Sequence, residues 1–68
     1  MTEFTAKSVA ERFSRLFRKA GVFLSKGQLQ EALTTFREGE ALALTLRDEG
    51  KLALFREEIV QCEKRLQE

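Results

Sequence analysis

Residues 16–39 read LFRKAGVFLSKGQLQEALTTFREG. Apolar or small residues recur at Leu16, Ala20, Phe23 and Gly27, then at Leu29, Ala32, Phe36 and Gly39, the alternating spacing of three and four that lays one stripe along a helix. Ser25-Lys26-Gly27-Gln28 breaks the pattern: Gly27 can adopt the left-handed conformation that closes a helix, and Ser25 with Gln28 is expected to cap the next. So short a turn forces the two helices to pack antiparallel. Folding back at Gly27-Gln28 sets Ala20 against Phe36, Phe23 against Ala32, Leu16 against Gly39 and Phe13 against Ala43, a large side chain facing a small one each time. Ala20, Gly27, Ala32 and Gly39 are therefore the expected close-packing residues. Gly39 is the most informative, because a Gly inside a helix costs about 1 kcal/mol relative to Ala unless close approach offsets it.

Upstream, the stripe continues through Ala6, Val9 and Phe13, and a second row of Ala10, Phe17 and Leu24 widens it, so the first helix should touch two neighbours. It is predicted over about residues 4–26, with Thr2, Thr5 and Ser8 as alternative caps and Ser8 followed by Glu11 as a capping box. Downstream, Ala43 and Leu46 extend the second stripe, flanked by Leu33 and Leu42, to give a helix over about residues 28–48. Asp48-Glu49-Gly50 supplies both a stop and a fresh cap, and a third helix follows over about residues 51–67 with Leu52, Phe55, Ile59, Cys62 and Leu66 on its seam. No Pro occurs, and no stretch shows strand-like alternation or a linker's composition. The expected fold is a single all-α domain over residues 1–68, an antiparallel three-helix bundle with shallow left-handed crossings.

Composition narrows the function. The chain has 68 residues, 43% hydrophobic and 34% charged, with no His and one Cys. Without His there is no imidazole base; Ser8, Ser14, Ser25 and Cys62 form no recognisable pair of nucleophile and base, so an enzyme is not expected. A lone Cys excludes an internal disulfide, and the missing His/Cys cluster removes the usual zinc sites, so neither metal nor cofactor is expected. No apolar run approaches the roughly 18 residues of a membrane span, and Met1-Thr2-Glu3-Phe4 lacks a signal peptide's profile, so a reducing, cytoplasmic setting is expected.

Leu16, Ala20, Phe23, Gly27, Leu29, Ala32, Phe36 and Gly39 together resemble the large and small pattern of a tetratricopeptide helical hairpin, with Lys19 and Leu44 standing where that repeat usually has Leu and Pro. The chain is more similar to a microtubule-interacting-and-transport (MIT) domain, a single three-helix bundle. Gly27-Gln28-Leu29-Gln30-Glu31-Ala32-Leu33 resembles that family's Gly-Asn-Tyr-Glu-Glu-Ala-Leu turn, and Arg56-Glu57-Glu58-Ile59-Val60 the opening of its third helix. Of the family's closing Tyr-Leu-x-Arg-Ala-Glu signature, only Arg65 matches. The resemblance implies a non-catalytic adaptor that binds a short helical or extended segment of another protein in an interhelical groove, an ESCRT-III-type tail in the MIT case.

Several apolar residues lie off the main seams and could floor such a groove; Phe17, Leu24, Leu42, Leu54 and Val60, with Arg65, are the partner-binding candidates. Val22 and Leu44 also lie off the seams. Residues 1–27 carry six basic against two acidic residues, a balance of +4, and residues 28–50 two basic against five acidic, a balance of −3. Arg12, Lys19 and Lys26 recur every seven residues as a basic ridge, which the adjacent acidic helix is expected to neutralise. With an overall charge of +1, nucleic-acid binding is not favoured. The alternative reading is a small structural protein acting by homodimerisation or assembly into a larger complex, suggested by the narrow seam of helix 3, on which Cys62 sits as a small buried hydrophobe.

Overall fold

The computed structural model describes residues 6–68, the side chain of Ala6 excepted. Three helices, α1 (Ala6–Ser25), α2 (Leu29–Leu46) and α3 (Glu49–Gln67), form an all-α bundle in which α2 packs against both neighbours. Ser8 lies inside α1 rather than at its start, so its spacing to Glu11 is not a capping box; Thr2 and Thr5 lie outside the described residues, as do the first two positions of the expected helix.

The first turn closes as its Gly requires. Gly27 has φ +74°, the Gly27 amide donates to the Leu24 carbonyl at 3.0 Å, and the Gln28 amide donates to the Phe23 carbonyl at 2.9 Å. Gln28 is the residue before α2, but its side chain makes no capping bond, and the Ser25 hydroxyl turns back to donate to the Val22 carbonyl at 2.9 Å. The expected side-chain cap is thus replaced by backbone closure.

The second turn takes only two residues. Arg47, at φ 55° and ψ 38°, adopts the left-handed conformation usually left to Gly, and the Asp48 amide donates to the Ala43 carbonyl at 2.9 Å. Asp48 then caps α3, its side chain accepting from the Lys51 amide at 3.1 Å. Asp48 therefore acts as the sequence suggests, whereas the stop is Arg47 and Gly50 lies within α3. α2 accordingly ends two residues earlier than expected, and α3 begins two earlier.

The core comprises Phe13, Ala20, Ala32, Leu33, Phe36, Ala43, Phe55, Ile59 and Cys62, with Leu16, Phe17, Phe23 and Leu24 among the half-buried residues packed against it. Its centre is Phe55 of α3. That ring stacks on Phe17 at 4.5 Å between centroids and 20° between planes, and lies 5.7 Å from Phe13 and 6.4 Å from Phe36. Gly39 makes room for it: a Cβ at this position would run into the Phe55 ring. Leu16 of α1 was the expected neighbour of Gly39, but the atoms nearest to a Cβ there belong to Phe55, so the close approach is to α3. Phe55 is completely buried, held between two helices by that approach.

Thr35 is buried without violating the rule that interiors are apolar, since its hydroxyl donates to the Glu31 carbonyl one turn back at 2.9 Å. Two ion pairs link α2 to α3 across the surface, Arg37 to Glu63 and Arg56 to Glu40, each at 3.0 Å. They are exposed and contribute at most about 1 kcal/mol apiece.

Gly39→Ala gains helix propensity but displaces Phe55, and should cost a net 1–3 kcal/mol or so, as overpacked cores do. Gly39→Ala combined with Phe55→Leu should lose clearly less than the two single changes added together in urea titrations; strict additivity would mean that the two sites do not touch. Arg47→Gly should raise the melting temperature by about 4–8 °C, the shift that roughly 1 kcal/mol of relieved left-handed strain gives a domain of this size.

Candidate functional site

The side chains nominated from sequence fall on different sides of the bundle. α3 shows its orientation through two sets of contacts. Arg56 and Glu63 reach α2, while the Lys51 ammonium lies 5.9 Å from the centre of the Phe13 ring, so the flank bearing Lys51 is turned to α1. Leu54, Glu58 and Arg65 follow Lys51 at helical spacing on that flank. Leu54 is 48% exposed and Arg65 is exposed. Val60, also 48% exposed, lies six residues from Leu54, some 120° away around the helix, beyond the flank tied to α2.

On α1, Phe17 and Leu24 stand seven residues apart and both are half-buried. The stacking of Phe17 on Phe55 shows that their stripe points toward α3. Among the described residues, no Cα of α1 comes within 8 Å of a Cα of α3. The two helices are joined by side chains, chiefly the phenyl rings, and their backbones stand apart. Phe17, Leu24, Leu54 and Arg65 thus border one seam between α1 and α3. Leu42 does not belong to it: it lies with Arg12, Arg15, Leu16 and Glu38 around a cleft of about 220 Å³ on the other side of α1.

A second cleft, of about 240 Å³, adjoins that one through their shared residue Glu38 and is lined by Lys19 and Phe23 of α1 and by Gln30, Glu31, Thr34 and Thr35 of α2. This α1/α2 face was not evident from apolar spacing, because Leu16, Phe23 and Leu42 read as seam or flank residues. The signal that points to it is the charge imbalance between the two helices. Two residues of the basic ridge line these clefts beside carboxylates, Lys19 with Glu31 and Glu38 in one and Arg12 with Glu38 in the other. A third hollow, beside Lys7, Glu11, Arg15 and Arg18, lies on the outer side of α1.

No group of three or more His, Cys, Asp or Glu side chains placed to hold a metal ion occurs among the described residues. No helix there is long and apolar enough to cross a membrane. Cys62 is 2% exposed, and burial raises its thiol above the ordinary value; the Glu58 carboxylate adds to this, Arg65 opposes it, and Glu63 adds a smaller push. On the seam of α3 that suggested the alternative of homodimerisation, Phe55, Ile59 and Cys62 are all buried within the chain. Comparison with protein-family models, with curated proteins and with solved structures finds no match for this chain.

The thiol provides a direct check of this packing. Cys62 should react with a disulfide reagent at pH 8 far more slowly in the native chain than in urea, because access requires opening of the α3 seam. The native thiol holds its proton more tightly than the unfolded one. Its contribution to stability is therefore complete below the ordinary thiol pKa of about 8.5 and is lost as pH rises through the higher native value. Cys62→Ala should flatten that alkaline decline in denaturant midpoints, and an unchanged decline would assign it to other groups.

Proposed function

We propose that the chain is a non-catalytic protein-interaction module that holds a short segment of another protein along the seam between α1 and α3. The observation that supports this reading is the separation of the two backbones, beyond 8 Å between Cα atoms throughout the described residues, with Phe17 and Leu24 on one bank and Leu54 and Arg65 on the other. A helix or an extended strand gains apolar contact there from the half-buried phenyl and leucine side chains. Arg65 supplies a cation for a carboxylate of the incoming segment. Leu54 is well suited to the role, being large, apolar and half exposed.

The resemblance to MIT domains supports the same use of the bundle and names a finer class of partner, the tails of ESCRT-III-type proteins. The tetratricopeptide-like spacing of the first hairpin also supports an adaptor, without that partner. Leu42 and Val60 have no part in this seam.

The reading is tested by selecting helical and extended peptides against the folded chain from a random library and mapping them by amide chemical shifts. Shifts should centre on Leu24, Leu54 and Arg65, and Leu54→Asp should weaken binding about tenfold while the melting temperature stays unchanged, because the substitution falls on an exposed position. Binders that map elsewhere, or that tolerate Leu54→Asp, would overturn the assignment. ESCRT-III-type tail peptides, titrated in the same way, test the finer class.

A further inference from the structure

The α1/α2 face is distinct from the seam between α1 and α3. Arg37 and Glu38 are neighbours in sequence, yet Arg37 reaches Glu63 of α3 while Glu38 lines both clefts beside α1. α3 therefore covers one side of α2 and leaves the other open. On that open side Leu16 and Phe23 of α1 and Leu42 of α2 are half-buried. Arg15 and Lys19 stand along the α1 edge, Glu31 and Glu38 along the α2 edge.

We infer that this face binds a second copy of the same chain, the two copies meeting about a two-fold axis that runs along the groove. The charge pattern selects this occupant and this geometry. A two-fold axis parallel to the helices sets α1 of each copy on α2 of the other, basic edge on acidic edge, twice over. An axis across the helices would stack α1 on α1 and α2 on α2, like charge on like. In the selected arrangement the four helices alternate in direction as well as in charge, so their dipoles also oppose. Fold-back at Gly27-Gln28 puts Glu38 of one copy level with the interval between Arg15 and Lys19 of the other, and Glu31 with the interval between Lys19 and Lys26. The apolar contribution comes from Leu16, Phe23 and Leu42, closed over by their symmetry mates. That closure adds to a core of only nine buried apolar residues among those described, in a chain of the size that most needs it.

Sedimentation equilibrium of the full chain, from about 1 µM to about 1 mM at low and high salt, tests the inference over the range in which weak interfaces populate. A monomer–dimer equilibrium that weakens with salt is expected. Glu31→Lys with Glu38→Lys should weaken it about tenfold or more, as should Arg15→Glu with Lys19→Glu, because each double change places like charges in contact. An equimolar mixture of the two double variants should form a heterodimer, since one copy then carries only basic edges and the other only acidic ones. Circular dichroism showing unchanged helicity in each variant separates loss of association from loss of fold. A chain that stays monomeric at the highest concentration overturns the inference, and would leave the face to a foreign amphipathic segment. A dimer indifferent to both double variants overturns it as well, and leaves the adaptor reading of the other seam untouched.

Discussion

The structure depends on one close approach, that of the Phe55 ring to the backbone of α2 at Gly39. Any side chain at position 39 would displace the Phe55 ring. With the ring seated there, Phe55 also meets Phe13 and Phe17 of α1 and Phe36 of α2, so a single residue of the third helix touches both others. Each such aromatic pair contributes about 0.5–1.5 kcal/mol beyond the area it buries. The exposed ion pairs between α2 and α3 contribute less than this and serve mainly to fix how α3 is turned. In a chain whose single Cys allows no internal disulfide, the aromatic cluster does what a covalent staple would otherwise do.

Much of this was legible in sequence, and the limits have physical causes. Gly27 and Asp48 could be read because a left-handed closure and a side-chain cap are local events. Arg47 could not, because its left-handed φ is imposed by the need to close α2 and cap α3 within two residues. The spacing of Gly39 correctly signalled a close approach but named the wrong neighbour, since reasoning from one hairpin sees only the helix that precedes it. Thr35 was missed as a core residue because its polarity hides the hydroxyl's bond to the preceding turn. Leu54 and Val60 were both visible as off-seam residues, yet which of them borders α1 depends on the rotation of α3 about its axis, and that is set by Phe55 and by the partners of Arg56 and Glu63.

The placement of α2 between its neighbours decides which surfaces remain to act. A helix packed on both sides has most of its large apolar residues engaged in the fold, and the stretch Ala41-Leu42-Ala43-Leu44-Thr45-Leu46 illustrates this: Ala43 is fully buried, Leu42 and Leu46 are half-buried, and among its leucines only Leu44, at 51% exposure, is left outward with Ala41 and Thr45. Among the described residues the outer helices keep their backbones apart and meet through side chains, which leaves between them a seam bordered by Phe17, Leu24 and Leu54. The two helices of the first hairpin meet with opposite charge, and that leaves a face with polarity across it. These surfaces differ in kind. Apolar area lining a seam favours whatever chain can fill it, whereas a face whose edges are oppositely charged and related by a two-fold operation to their own complement favours itself. The two proposed uses, one surface for a partner and another for a second copy, would not compete, because the helix they share, α1, presents a different stripe to each.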